Sequence, residues 1–354
     1  MHNAAPEYRI AFWKELNKIV DLDIVITNKN IERKIYNLKK DTDNLNIKDW
    51  ENSMLDTVSQ YDAVILPPIE SIKDYKIARQ LRRVCINTAT PFCYWTEKWI
   101  PRDMRRPLGK KIKDAIKTKM IKSASDKANS YIGAGTLSAN YLHYQLKVSG
   151  DRIHVAYDSS TSPYLHPKIN IRQRYEIPSQ AKVILFLGRL ITRKGCLELI
   201  HASLPILKKT NSYLIIGGEG EQLKLLKKEV GNNKRIIFVG KIQPNLRRAF
   251  YEQSTVFVLP SIAQNGIIEA WGLTVNEALE CGLPVIATDA VGSAYDLINV
   301  DNGIVVANGN VEELQQALFK VLNKRYNKKR IKSDYEKKFS VKNMAQNFYI
   351  AIFK

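Results

Sequence analysis

The chain has 354 residues, 45% of them hydrophobic, and a formal charge of +20. That length and apolar share favour two folded domains and exclude a disordered chain. No apolar run approaches the roughly 20 residues that cross a bilayer, residues 1–9 lack the apolar core of a secretory signal, and four dispersed cysteines fit neither a disulfide framework nor a zinc site, so a soluble or peripheral cytoplasmic protein is expected.

In chain order, a helix entered after Pro6 carries apolar residues on one face. A strand follows at Asp23–Thr27. Tyr61–Leu66 reads as a buried strand ended by Pro67-Pro68, and Val84–Thr88 as another, ended at Pro91. The aromatic segment Pro91–Trp99 then lies at the C-terminal edge of a strand, where clefts of doubly wound sheets open; Glu97 is its acid. Arg102–Lys127 holds ten Lys/Arg against three Asp/Glu. It reads as a helix with Ile112, Ile116, Met120 and Ile121 spaced for one apolar face. Such a cluster attracts polyanions in general, an anionic membrane surface among them, or is simply a solvated face. Ser130–Gly133 is a short strand, Thr136–Leu146 a helix and Arg152–Tyr157 a strand. Asp158 to about Tyr175, with Pro163 and Pro167, reads as a linker.

The second half opens on the strand Val183–Leu187, followed by Gly188-Arg189, four residues, Lys194-Gly195, and a helix from Cys196. Backbone N–H groups, helix dipole and cations converge there, which suits a phosphate. Tyr213–Ile216 runs into Gly217–Gly220. A dinucleotide fingerprint fails at this point, because the third glycine position is Leu223. Ile236–Gly240 is a strand, and Arg247–Tyr251 lies on a helix. The stretch Leu259–Gly292 reads as strand, polar loop, helix and strand, and holds Glu269 at the helix entrance and Glu277 eight positions on. At that spacing both carboxylates can face one crevice, about two turns apart. Asn302–Val306 is a strand, Val311–Leu322 a helix, and Val341–Phe353 a last helix with Ser340 as its N-cap.

The segment containing Glu269, Trp271-Gly272-Leu273, Glu277, the helix end Ala278-Leu279-Glu280-Cys281-Gly282-Leu283-Pro284 and Ala290-Val291-Gly292 resembles the donor-binding signature of the retaining glycosyltransferase family 4. The resemblance implies the GT-B fold: α/β, two Rossmann-like domains facing across a cleft, with a C-terminal helix crossing back to the first. It implies an acceptor-side domain at 1–170, a donor domain at 171–333 and the returning helix at 334–354. By resemblance Arg189 and Lys194 clamp the donor diphosphate, Glu269 contacts the donor sugar and Glu277 the ribose. Gly188, Gly218, Gly240, Lys241, Gly272, Leu273 and Thr274 line the donor, and Glu97 becomes a candidate contact for acceptor or sugar. In relatives a strand and a glycine-containing loop precede the first helix; here either the start lies upstream or the first strand of the N-terminal domain is lost, with reduced or no activity expected.

The implied activity is metal-independent transfer of a hexose from a UDP- or GDP-sugar to a lipid-linked or saccharide acceptor, without a further cofactor, in bacterial surface polysaccharide synthesis. An impaired nucleotide-sugar-binding homologue and a nucleotide-sugar epimerase are the alternatives. Nucleic acid is disfavoured, because no finger, recognition helix or RNP-like motif is present. Asp21–Asp23 and Asp41–Asp43 match the Asp-x-Asp pattern of metal-dependent transferases, but the first precedes a strand rather than ending one.

Overall fold

A computed structural model describes residues 1–2, 7–28, 44–101, 106–161 and 169–354. The chain divides into two units, Met1–Ser160 with Val341–Lys354, and Thr161–Ser340. Pro6, Asp41, Asp43, Arg102, Pro163 and Pro167 of the sequence expectations lie outside the described residues.

The first unit contains β1 (Asp23–Ile26), β2 (Asn46–Asp49), β3 (Val64–Leu66), β4 (Phe92–Thr96), β5 (Ser130–Gly133) and β6 (Ile153–Val155). They form a β1-β2 pair and a β3-β4-β5-β6 sheet, all parallel. Between the two lie Met1 and His2. The Met1 amino group donates to the Ile65 carbonyl at 2.9 Å, and His2 exchanges backbone bonds of 2.9 Å with Val25 and Thr27. Burial of that amino group, against the opposing pull of Cys93, lowers its pKa to about 6.

Val84–Thr88 is not a strand. It is the end of a helix, Ile72–Asn87, whose buried Ile77, Ala78, Leu81 and Cys85 recur at helical spacing. Ser71 and Asp74 close a reciprocal capping box at its start, worth about 1 kcal/mol. The strand is instead Phe92–Thr96, fully buried, so the aromatic run belongs to the sheet and Glu97 is the first residue past its C-terminal end. The basic helix spans Leu108–Ser125; Ile121 is buried, but Ile112 and Ile116 are exposed, so the expected single apolar face is split. The final helix, Val341–Phe353, packs in this unit: Phe348 lies 4.8 Å from Phe12 and 6.1 Å from Trp95, ring to ring.

The second unit is one parallel sheet of β7 (Lys182–Leu187), β8 (Ser212–Gly217), β9 (Ile236–Gly240), β10 (Val256–Leu259), β11 (Val285–Thr288) and β12 (Gly303–Val306). The spatial order is β12-β11-β10-β7-β8-β9. Its strands are continuous apolar runs because helices cover both faces. Ile184, Phe186, Leu214, Ile216, Val256, Val258 and Ile286 are all at zero to negligible exposure, each contributing about 1.5–3 kcal/mol of burial. The order reverses between β7 and β10, and in doubly wound sheets a ligand crevice opens at that switch point, beyond the C-terminal ends of the strands.

Candidate active site

The connections leaving β7 and β10 both emerge at the switch point, and the sequence locks them together. After β7 the chain makes a short turn, Thr192–Lys194, ended by Gly195 in the left-handed region at φ +67°. A Cβ on Gly195 would stand 1.8 Å from the Pro260 carbonyl oxygen. Only glycine permits that approach. The turn therefore presses against the end of β10 and delivers two cations to Glu269. Lys194 Nζ donates to Glu269 Oε2 at 2.5 Å and Arg193 Nη1 to the same oxygen at 3.0 Å, with Ser261 Oγ at 3.4 Å. These bonds fall on one oxygen, which among the described residues leaves Oε1 as the carboxylate's available acceptor. The Glu269 backbone is pinned from the other side, its N–H to the Ala290 carbonyl and its carbonyl to the Gly292 N–H, both at 3.0 Å.

Burial pushes the Glu269 carboxyl upward, but Lys194 and then Arg193 outweigh it and hold it below the ordinary value. Burial works on Lys194 in the opposite sense, lowering its pKa despite the pull of Glu269, with Arg193 and Arg189 adding to the drop. Arg189 thus acts electrostatically on Lys194 and is itself exposed. The Gly188 N–H meets the Gly217 carbonyl at 3.0 Å, joining the C-terminal ends of β7 and β8, and the Gly218 N–H meets the Gly240 carbonyl at 2.8 Å, joining the ends of β8 and β9. Lys241 follows, exposed. Gly272 stands before the helix Leu273–Glu280. The first amides of that helix, at Leu273 and Thr274, have no intrahelical acceptor by geometry and suit an anion.

Glu277 sits on the same helix in a separate cluster, almost fully buried. Tyr251 Oη donates to its Oε2 at 2.7 Å, and Arg247 Nη1 lies 3.6 Å from Oε1. Trp271 Nε1 donates to Asn276 Oδ1 at 3.0 Å, and Asn276 Nδ2 to Tyr335 Oη at 3.1 Å, fixing the helix entrance from behind. Sequence reasoning missed Arg193, although the Arg-Lys doublet was a signal. It also missed Tyr251, which holds Glu277, and Asn276 and Tyr335, which hold the entrance of its helix.

In the first unit, Glu97 meets a partner set that was not foreseen. Buried Arg9 places a guanidinium fork on Asp158, through Nη1 to Oδ1 and Nη2 to Oδ2, and Nη2 also reaches Glu97 Oε1 at 2.5 Å. The guanidinium lies 4.6 Å from the Trp95 ring centre. Asp158, Ser159 and Ser160 are fully buried, so the supposed linker begins inside the core. Burial, with the negative charge of Asp158 added, pushes the Glu97 carboxyl up against the opposing pull of Arg9. Asp23 of the Asp-x-Asp pattern accepts from Lys48 at 2.8 Å, Tyr61 at 2.5 Å and Asn46, a structural use of both its oxygens.

Comparison with known proteins meets this geometry in the second unit. Residues 167–338 match the family of glycosyl transferases group 1. An uncharacterized glycosyltransferase of Methanocaldococcus jannaschii is 30% identical over 187 residues, covering 51% of this chain and 46% of the relative. The lipopolysaccharide core biosynthesis glycosyltransferase LpsE of Rhizobium meliloti is 28% identical over 157 residues, 43% of this chain and 42% of the relative. The chain thus spans less than half the length of these curated relatives. The crystal structure of Anabaena HepE in complex with UDP superposes with a TM-score of 0.72 at 15% identity, covering 98% of this chain and 95% of that one. The fold is GT-B, with two Rossmann-like domains, and the group 1 match falls on the unit that holds Lys194 and Glu269.

Proposed function

We propose that the protein is a retaining glycosyltransferase that moves a hexose from a nucleoside-diphosphate sugar to an acceptor hydroxyl. The observation that carries this reading is the convergence of Lys194 and Arg193 on Glu269 at the switch point. Lys194, with Arg189, takes the diphosphate and offsets the charge that builds on it as the bond to the sugar breaks. That assignment gives the charge compensation to side chains rather than to a metal ion. Glu269 turns its open oxygen to a sugar hydroxyl. Glu277, held by Tyr251 and Arg247, is assigned to the ribose, and Gly188, Gly218, Gly240, Lys241, Gly272, Leu273 and Thr274 to the rest of the donor. Glu97 is assigned to the acceptor hydroxyl, with Arg9 and Asp158 fixing it. Retention follows if the departing diphosphate accepts the proton of the incoming hydroxyl on the same face.

The LpsE resemblance supports a lipid-linked or saccharide acceptor in surface polysaccharide synthesis, and the UDP complex of HepE supports a uridine diphosphate donor, with a guanosine diphosphate donor as the alternative. Incubation with a panel of UDP- and GDP-sugars, with nucleoside diphosphate release as the readout, tests this. Release that depends on an acceptor glycolipid or saccharide is expected. Ring inversion without an acceptor would point to an epimerase, and binding without release to an impaired homologue.

The helix Leu108–Ser125 supports a membrane contact in the same reading. Leu108, Ile112 and Ile116, 73%, 52% and 53% exposed, form one row at four-residue spacing. Lys111, Lys113, Lys119 and Lys122 surround it, exposed. The one acid of this helix, Asp114, is buried against Lys110 and Arg106. An outward apolar row among lysines suits an anionic lipid interface at the cytoplasmic face. No helix among the described residues is long and apolar enough to cross a membrane. Co-sedimentation with phosphatidylglycerol vesicles should be lost in Ile112→Asp/Ile116→Asp; equal pelleting of both proteins would reject the contact.

A further inference from the structure

The loop that carries Glu269 is built as a hairpin. Gln264 and Ile267 exchange backbone hydrogen bonds, 3.0 Å from the Gln264 N–H and 2.8 Å from the Ile267 N–H. Asn265 and Gly266 between them have φ +52° and +75°. Two successive left-handed residues are the requirement of a type I′ turn, which Asn-Gly meets best. So short a hairpin is marginal by itself in water. Something else must hold its legs.

Arg193 does so on both sides. Its carbonyl accepts from the Ile262 N–H at 2.9 Å, on the leg entering the hairpin. Its Nη1 donates to the Ile268 carbonyl at 3.2 Å, on the leg leaving it, and to Glu269 Oε2 at 3.0 Å. Lys194, its neighbour in the chain, reaches the carboxylate but neither leg. The two cations also differ in kind. An ammonium is a compact charge on a flexible stem, free to turn towards a stronger anion, whereas a planar guanidinium holds two acceptors in one fixed geometry. A diphosphate carries more negative charge than a carboxylate. If Lys194 turned to it with no second cation present, Glu269, 16% exposed, would be left as a poorly compensated charge, a costly state.

We infer that Arg193 is a positioning residue for donor-sugar selection: it keeps Glu269 paired and the 262–268 hairpin in place while Lys194 turns to the diphosphate. The inference rests on the assignment of the donor sugar to Glu269. It separates two properties that a shared cationic clamp would join. Discrimination between sugars depends on Arg193, and affinity for the bare nucleoside diphosphate does not.

The test uses Arg193→Gln, which keeps much of the length but loses the charge, and Arg193→Lys, which keeps the charge but loses the planar guanidinium. Without any ligand, hydrogen exchange of the amides of residues 262–268 should accelerate in Arg193→Gln while those of β7 stay unchanged. Equal exchange in that segment would overturn the clamp whatever the protein binds. With ligands, calorimetry of UDP and GDP should show affinities within about twofold of the parent. In the same variant kcat/KM for the nucleotide-sugar should fall by about tenfold or more, and the preference between epimeric sugars should narrow. Arg193→Lys should recover part of the rate but not the preference. A parallel loss of UDP or GDP affinity and kcat/KM would make Arg193 a phosphate ligand and overturn the inference. Failure of the parent protein to bind either nucleotide would instead sink the donor assignment, and the exchange measurement would still decide the clamp.

Discussion

Glu97 in the first unit and Glu269 in the second each lie under an arginine, yet their protons are held in opposite senses. Among the described residues Glu97 shares the Arg9 guanidinium with Asp158, and its carboxyl is pushed up. Glu269 has Lys194 and Arg193 to itself, two cations for one carboxylate, and is held down. Burial opposes ionisation in both places, so the local charge count decides the direction. The difference suits the proposed roles. A carboxylate kept ionised among cations can accept from a sugar hydroxyl beside a diphosphate, whereas one poised towards protonation meets a neutral acceptor.

The largest effect should come from breaking the first cluster. Asp158→Ala leaves buried Arg9 with Glu97 as its remaining carboxylate, and should cost about 3–5 kcal/mol of stability in denaturant unfolding; a loss under 1 kcal/mol would contradict the paired arrangement. Next in size, Lys194→Ala should reduce turnover about a hundredfold, roughly 3 kcal/mol of transition-state stabilisation, as read in steady-state release of nucleoside diphosphate. Undiminished turnover would remove Lys194 from the clamp.

The opposed proton affinities give a third, smaller effect. The folded Glu97 carboxyl titrates above its unfolded value of about 4.5, so its contribution is full below that value and is lost as pH rises towards the folded one. Glu97→Gln should flatten this fall by on the order of 1 kcal/mol, allowing for the part of the side chain that stays wet. Calorimetric scans across pH should show it, and an identical slope in both proteins would contradict the upward shift. For Glu269 the sign reverses: its stabilisation is present above the unfolded value and lost as pH falls through the folded one. Smallest, Ser261→Ala removes a long bond to Glu269 and should cost about 0.5 kcal/mol, a little over twofold in kcat/KM for the nucleotide-sugar. A tenfold loss would mean that the hydroxyl itself meets substrate.

The second unit was largely legible because its six strands are unbroken apolar runs punctuated by glycine and proline, and because Lys194 and Glu269 sit in recognisable local patterns. The first unit was less so. Val84-Cys85-Ile86 has β-branched residues that mimic a strand, while the capping box at Ser71 that makes it a helix lies thirteen or more residues earlier. Ile112 and Ile116 have core periodicity and point outward, a choice made by the packing of Ile121 and Ala124 rather than by spacing. The charge clusters were the least readable, because partners such as Arg9 and Asp158 are 149 positions apart, and Arg193 and Glu269 are 76. Local pattern gives no access to such pairs.

The proposed function depends on a diphosphate seat built from cations of the second unit. Titration calorimetry of UDP and GDP into the parent protein and into Lys194→Ala, in the same buffer, addresses it most directly. Saturable binding of at least one nucleotide by the parent, weakened about tenfold or more in the variant, is the predicted result. No binding by the parent, or equal binding by both, would contradict it.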